Sequence, residues 1–127
     1  MSCPRPFPPD AILHLAIPAD WDDATEQGVY TRSWRHGSLT DAGFIHCSFP
    51  HQIERTANLF YSDLTELLML HVDPGRCDGP VVIEAGSGDA SELFPHLYGA
   101  IPVGAVHEVR TWTPRSDGTY VLGDADV

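Results

Sequence analysis

The order of hydrophobic and polar positions predicts a strand, a helix and an irregular region in the first third of the chain. Residues 11–16 are almost all apolar, which is typical of a buried strand. Helical spacing follows, so we predict a helix over residues 18–28, with a proline in its first turn and a glycine at its end. Residues 29–38 carry arginine and aromatic side chains without a clear period, and they predict a loop or a short strand.

Residues 43–48 are the stretch around which the other elements are arranged. The sequence predicts a short strand here, followed by a helix over residues 50–61 that has a proline in its first turn. Because side chains alternate across a strand, Ile45 points to the face opposite to His46 and Ser48. Those two polar side chains come just before a helix N-terminus, where free N–H groups favour a polar ligand. We therefore predict that this strand forms one wall of a cleft.

The second half of the chain is predicted to be mainly β-structure. Strands are expected at residues 65–72, 80–85 and 103–112, and residues 119–122 are expected to pair with the last of them as a hairpin. The β-branched residues of 80–85 favour a central position in the sheet. Residues 92–99 are interrupted by a proline and are expected to pack against the sheet as an irregular segment.

Strands and helices do not alternate regularly, which predicts the α+β class rather than a doubly wound parallel sheet. We expect one twisted, mixed or mostly antiparallel sheet with two main helices. A chain of 127 residues has room for one domain. We expect residues 1–10 to be disordered, residues 11–122 to form the domain and residues 123–127 to be an acidic tail.

Composition and charge exclude several classes of function. All seven basic residues are arginines, and the absence of lysine excludes Schiff-base chemistry, a pyridoxal-phosphate lysine and the lysine of a P-loop. The net charge of −11 disfavours binding to nucleic acid or to an anionic membrane, so a small ligand or a basic partner is expected. Three cysteines without a C-x-x-C pair, no signal peptide and no apolar run of membrane-spanning length predict a cytoplasmic protein.

Candidate chemistry rests on three of the seven histidines. His14, His46 and His96 fall at positions expected to be inside, where each imidazole needs a polar partner. If all three face one cavity, they can hold a ligand, a proton or a metal. A zinc site of these three histidines is chemically feasible, but no close pair of histidines on one helix supports it, and we expect no metal.

Three other side chains have both a functional and a structural interpretation. Ser48 is either a ligand-binding hydroxyl or the cap of the following helix. Glu84 ends a predicted strand, where it either faces a cleft or is exposed to solvent. Tyr98 either contacts a ligand from an aromatic wall or anchors its own loop. Cys47 is not expected to be a nucleophile, because alternation turns it away from His46.

Four short stretches, read together, identify a family. They are L-H-L at residues 13–15, G-F-I-H-C-S at 43–48, T-A-N at 56–58 and L-F-P-H-L-Y-G at 93–99. With these stretches the chain resembles, over about residues 12–113, the bacterial family known as domain of unknown function 952. That family is similar in organisation to the ADP-ribosyltransferase fold, in which a split sheet clamps NAD.

The resemblance to the ADP-ribosyltransferase fold, added to the residue pattern, implies NAD as a cofactor and cleavage or transfer at its nicotinamide–ribose bond. The implied catalytic residues are His46, Ser48, Glu84 and His96. The implied cofactor-binding residues are His14, Arg32, Arg35 and Tyr98. In this scheme Glu84, with Glu92 as its competitor, stabilises an oxocarbenium-like cation, and an arginine meets the pyrophosphate. His96 has no counterpart in the three-part pattern of that fold.

Two other functions remain open. One is a noncatalytic module that binds ADP-ribose, another nucleotide or a small ligand. The other is a small hydrolase with a metal held by the three histidines.

Overall fold

The structure, a computed structural model, describes residues 7–86 and 91–125 as ten short strands and three α-helices. The helices are α1 (Pro18–Gln27), α2 (Leu39–Ala42) and α3 (Pro50–Phe60). The first five strands are β1 (Ile12–Ala16), β2 (Val29–Tyr30), β3 (Arg32–Trp34), β4 (Gly37–Ser38) and β5 (Ile45–His46). The last five are β6 (Leu67–Val72), β7 (Val81–Ala85), β8 (Leu93–Leu97), β9 (Ile101–Pro102) and β10 (Val106–Trp112).

A three-stranded antiparallel sheet in the order β1-β6-β10 forms the centre of the molecule. Both faces of this sheet are covered, which explains why β1 and β6 are apolar at nearly every position. Ile12 and Leu70 belong to the core on one face, which also holds Ala24 of α1. Leu13 and Met69 belong to the core on the other face, together with Ile53 of α3.

A second antiparallel sheet, in the order β5-β8-β7, lies beside the first. Backbone bonds of 2.9 and 2.8 Å between Leu13 of β1 and Ser48, just beyond β5, join the two sheets. The shorter pairs β2-β9 and β3-β4 complete the described sheet structure. The α+β class and the antiparallel pairing are as predicted, and the sheet structure is divided into separate units.

The first half of the chain follows the sequence prediction closely. Helix α1 ends at Gly28, whose φ of 86° is the left-handed conformation that glycine adopts without strain. Helix α3 ends one residue before the predicted boundary. Ile53 and Ala57 of this helix and Tyr61 at its end are buried, but Phe60 is 48% exposed.

The prediction that residues 80–85 form a central strand is wrong. Strand β7 is at the edge of its sheet, and Ile83 is 47% exposed. The central strand is β8, within the segment that the sequence predicted to be irregular. Pro95 lacks an N–H, but it lies beyond the residues that pair β5 with β8, and its carbonyl still accepts from the N–H of Cys47 at 3.1 Å. On the other side Pro95 pairs with Ile83 of β7.

The predicted hairpin of residues 119–122 with the last strand is not formed in the described structure. The backbone N–H and carbonyl of Tyr120 bind the side-chain amide of Asn58 in α3, at 2.8 and 3.0 Å. This contact satisfies the backbone of Tyr120 without a strand partner. Beyond it, Ala125 in the predicted acidic tail is fully buried.

Residues 1–6 of the predicted disordered segment and residues 126–127 of the predicted acidic tail lie outside the described residues, as do residues 87–90, which follow β7. No helix within residues 7–86 and 91–125 has both the length and the apolar character needed to cross a membrane.

Candidate functional site

A cavity of about 350 Å³ lies where the two sheets separate. Strands β1, β3, β5 and β8 and helix α3 all contribute to its wall. The aromatic side chains in the wall are Trp34, Phe60, Tyr61 and Phe94. The polar side chains in the wall are His14, Ser33, His46, Ser48, Thr56 and His96. Its volume is in the range of small-molecule sites, and its mixture of apolar walls with a few polar groups is typical of them.

His14 lines the cavity, but both of its ring nitrogens have partners. Nδ1 lies 2.6 Å from the carbonyl oxygen of His46, and Nε2 lies 2.8 Å from the hydroxyl of Tyr30. A carbonyl only accepts, so Nδ1 carries the proton and Nε2 accepts from the tyrosine. Burial lowers the pKa of His14 to about 4. His14 is therefore a neutral structural group that ties β5 to β1.

His96 has a different environment. Its Nδ1 lies 2.8 Å from Oε1 of Glu84, and the same oxygen accepts a hydrogen bond from the hydroxyl of Tyr98. Phe44 stacks on the His96 ring, with centroids 4.0 Å apart and planes 14° apart. The Glu84 carboxylate and the stacked ring of Phe44 together fix the orientation of the His96 imidazole. Hydrogen bonds from Tyr98 and from His96 lower the pKa of Glu84, so the carboxylate is ionised at neutral pH.

The other ring nitrogen of His96 has no partner. His96 is 3% exposed, and Nε2 is buried without a hydrogen bond from any residue within 7–86 or 91–125. His96 lines the cavity and Glu84 does not, and Nδ1 is the ring nitrogen that is turned to Glu84. A buried nitrogen without a partner is uncommon in native proteins.

His46 is directly opposite His96 in the β5-β8 ladder, and their ring centroids are 5.5 Å apart. Trp34 and Phe44 contact the His46 ring edge to face. Burial is the main cause that lowers the pKa of His46, and the neighbouring His96 lowers it further. The cavity therefore presents a second imidazole that stays neutral at pH 7.

Ser48 lines the cavity and does not cap α3. The N-cap position is Phe49, whose N–H is bound by the side chain of Gln52 at 3.0 Å. The Ser48 hydroxyl lies 3.3 Å from the hydroxyl of Thr56, which in turn donates to the carbonyl of Gln52. Thr56 has its proton engaged, so Ser48 donates to Thr56 and keeps its own lone pairs free to accept. Ser48 can therefore accept a hydrogen bond from a ligand.

The comparisons with known proteins agree with the stretches that suggested a family. The family model described as protein of unknown function, DUF952, matches residues 15–109. The chain belongs to the DUF952 family. A crystal structure of protein CC0527 from Caulobacter crescentus is 30% identical, with a TM-score of 0.73 over 90% of this chain and 96% of that one.

The solution NMR structure of CC0527 is 31% identical, with a TM-score of 0.69 over 90% of this chain and 94% of that one. A comparison with the curated proteins finds no match. The fold therefore recurs in a protein of Caulobacter crescentus, and the family description assigns no activity.

Two arginines that were predicted to bind the cofactor are outside the cavity wall of this DUF952 chain. Arg35 forms two hydrogen bonds with Asp63, at 2.5 and 2.9 Å, and one with the carbonyl of Phe60. Arg32 lies 3.8 Å from Asp20 and donates to the carbonyl of Arg35 at 3.3 Å. Both guanidinium groups contribute to the attachment of the β3-β4 hairpin, and neither meets the two histidines.

The structure also distinguishes the two competing acidic residues. Glu84 contacts His96 and Tyr98, whereas Glu92 binds Arg55 and the side-chain amide of Gln52. Glu84 is therefore the carboxylate that contacts His96. It reaches the cavity through His96, so it has no direct contact with a ligand there.

The proposed zinc site is not assembled. Both nitrogens of His14 are engaged, which leaves no lone pair for a metal. Residues 7–86 and 91–125 contain no group of three or more histidine, cysteine, aspartate or glutamate side chains placed to hold a metal ion. Burial raises the pKa of Cys47, which keeps its thiol protonated and agrees with the expectation that it is not a nucleophile.

Sequence reasoning missed several members of the wall, among them Trp34, Thr56 and Phe94. Phe94 could have been predicted from the sequence, because it is two residues before His96 and therefore lies on the same face of the strand as His96. Thr56 faces the same side of α3 as Gln52, four residues earlier. Trp34 lies in a region without a hydrophobic periodicity, and no pattern in the sequence predicts the direction in which its side chain points.

Proposed function

We propose that the cavity is a binding site for a small molecule and that His96 is the group that recognises it. The observation that carries this proposal is the buried, unpartnered Nε2 of His96, in a ring held in place by Glu84. Polar groups without partners, gathered in an apolar cavity, are the usual sign of a ligand site.

The hydrogen bond between Glu84 and His96 gives His96 the role of a proton acceptor. An ionised Glu84 accepts the Nδ1 proton, so in the neutral imidazole Nε2 carries the lone pair. An imidazole oriented by a carboxylate is a common general base. If the protein is an enzyme, His96 removes a proton from the substrate or from water, and Glu84 acts as the positioning residue behind it.

We propose NAD or ADP-ribose as the ligands to test first. The resemblance of the family to the ADP-ribosyltransferase fold supports this choice, and Trp34 and Phe60 offer flat faces on which a heteroaromatic ring can stack. No arginine is part of the described cavity wall, so a pyrophosphate would lie outside the cavity.

A noncatalytic binding module is a second candidate, and the bonding of Ser48 favours it. In the described structure the Ser48 hydroxyl binds Thr56, and no hydrogen bond joins it to an imidazole. A serine nucleophile needs an adjacent base, so covalent catalysis by Ser48 is not set up here. Such a module binds the nucleotide and does not release nicotinamide.

Calorimetric titration with NAD and ADP-ribose tests the proposal. We expect saturable binding by the parent protein, loss of binding in His96→Phe, and unchanged binding in His51→Phe, a matched substitution of an exposed histidine. An assay of nicotinamide release then separates an enzyme from a module. Absence of heat with both ligands contradicts the nucleotide proposal, and equal binding by His96→Phe and the parent contradicts the assignment of His96.

A further inference from the structure

The cavity wall carries hydrogen-bond acceptors on side chains that are themselves buried. His96 is 3% exposed and has an unpartnered Nε2, and Ser48 is 4% exposed and keeps the lone pairs of its hydroxyl. In each case the proton of the group is already engaged, on Glu84 for His96 and on Thr56 for Ser48. An acceptor is satisfied only by a donor, so these two positions call for an N–H or O–H group on the ligand.

The described wall also lacks fixed charge. No aspartate, glutamate or arginine is among the residues that line the cavity. Lowered pKa values keep His14 and His46 neutral at pH 7. Transfer of an ion from water to such a site is costly, because no opposite charge compensates the lost hydration.

Aromatic side chains define the shape of the remaining space. The rings of Trp34 and Phe60 pack edge to face, with centroids 6.0 Å apart, and Phe94 belongs to the same wall. Aromatic surfaces of this kind stack with planar rings.

From these three observations we propose that the part of the ligand seated in the cavity is an uncharged aromatic or heteroaromatic ring that carries an N–H or O–H donor, which it gives to His96 Nε2. This inference rests on the proposed function and specifies its ligand class. It requires only that the seated ring be neutral and able to donate, so it also applies if the whole ligand is not a nucleotide.

Three small probes separate hydrogen bonding from simple burial of a ring. Phenol is a neutral ring with a donor, toluene has nearly the same shape without the donor, and benzoate carries a charge. Burial alone favours toluene, because the hydroxyl of phenol loses its hydration on entering an apolar cavity. A preference for phenol therefore reports a hydrogen bond made in the cavity.

Binding is measured by titration of each probe into the isotopically labelled protein, with dissociation constants from backbone amide chemical shifts. We expect phenol to bind roughly tenfold more tightly than toluene, the ratio that one net hydrogen bond supplies. Benzoate is expected to bind much more weakly than either neutral probe. The preference for phenol should be lost in His96→Phe and kept in His51→Phe.

Glu84→Gln provides a second variant in which the cavity wall is unchanged. The carbonyl oxygen of glutamine can take the position of Glu84 Oε1, where it accepts from Nδ1 of His96 and from the hydroxyl of Tyr98, so the imidazole proton stays on Nδ1. We therefore expect the phenol preference to be kept in Glu84→Gln, with toluene binding unchanged.

Three results overturn the inference. If toluene binds as tightly as phenol, the requirement for a hydrogen-bond donor on the ligand is wrong, although the cavity is then still a binding site. Benzoate binding as tightly as phenol contradicts the uncharged ligand class. Absence of binding by all three probes contradicts the ligand class altogether, whereas the separate titration with NAD and ADP-ribose decides the nucleotide proposal.

Discussion

At the scale of single residues, partners decide the chemistry of the buried histidines. His14 and His96 are both almost fully buried, at 2% and 3% exposure. The carbonyl of His46 and the hydroxyl of Tyr30 engage both nitrogens of His14, whereas Glu84 engages only one nitrogen of His96. The first ring is therefore a structural link between strands, and the second keeps a free lone pair beside a cavity.

The low pKa of His14 predicts a loss of stability in acid. His14 titrates near 6.5 in the unfolded chain and near 4 in the folded protein. Between these values only the unfolded chain takes up the proton, so the contribution of His14 is complete above pH 6.5 and is lost as the pH falls to 4. We expect a decrease of about 3 kcal/mol in the free energy of unfolding from this group, measured by urea denaturation at a series of pH values.

Two variants isolate that contribution. His14→Gln cannot titrate in this range, so its stability should change less between pH 6.5 and 4 than that of the parent. His51→Gln removes an exposed histidine and should keep the dependence of the parent. An equally steep pH dependence in His14→Gln would show that His14 is not the titrating group.

Tyr98 is predicted to control the acidity of Glu84. Its hydroxyl is the largest cause that lowers the pKa of Glu84, and His96 is the next. Tyr98→Phe removes that donor, so the pKa of Glu84 should rise toward its ordinary value while it stays lowered by His96. Titration of the Glu84 carboxyl carbon by NMR measures this shift. Tyr120→Phe removes a hydroxyl that binds the carbonyl of Leu64 instead, and it should leave the titration of Glu84 unchanged.

At the scale of elements, the second sheet depends on a close approach of two glycines. A Cβ atom added at Gly79 would lie 1.8 Å from the carbonyl oxygen of Tyr98, and one added at Gly99 would lie 2.7 Å from the backbone nitrogen of Gly79. Backbone atoms cannot move aside as a flexible side chain does. The segments that precede β7 and follow β8 can therefore cross only because both positions lack a side chain.

Gly79→Ala should accordingly separate the two strands that hold Glu84 and His96. We expect a loss of at least about 2 kcal/mol in the free energy of unfolding, because the strands must shift to relieve the overlap. Gly104→Ala is the matched control: a Cβ atom there meets nothing within 4 Å, so its effect should stay within about 0.5 kcal/mol. Thermal or urea denaturation of both variants measures the difference, and similar stabilities would contradict the close approach.

The sequence predicted elements well where one periodicity dominates. Strand β1 and helices α1 and α3 have clear apolar patterns, and their bounds agree with the prediction to within a residue or two. The prediction from the sequence failed for β8, because a proline such as Pro95 argues against a strand. Pro95 is tolerated because it lies beyond the residues paired with β5, and that position depends on tertiary pairing. The prediction also misplaced β7, since β-branched residues favour a strand without specifying centre or edge.

At the scale of the whole molecule, the cavity results from two sheets that are joined at Leu13 and Ser48 and separate beyond that point. Alternation along residues 43–48 predicted one face for His46 and Ser48, and both line the cavity, as do His14 and His96. The hydrogen-bond and ion-pair partners of these side chains could not be predicted from the sequence. Neither the engagement of both His14 nitrogens nor the attachment of Arg35 to Asp63 follows from spacing, because both depend on how distant segments pack.

The net charge of −11 belongs to the surface and not to the cavity. The acidic surface disfavours polyanions as partners, and the uncharged wall disfavours ions inside the cavity. Together they favour a small ligand whose buried portion is neutral.

The most direct test of this account is the position of the proton on the His96 ring, measured by long-range ¹H–¹⁵N NMR of the ligand-free protein at pH 8. We predict a protonated Nδ1 and an unprotonated Nε2, because the Glu84 carboxylate accepts the Nδ1 proton. A protonated Nε2 would contradict the account, since the cavity would then present a donor in place of the acceptor on which the proposed ligand class depends.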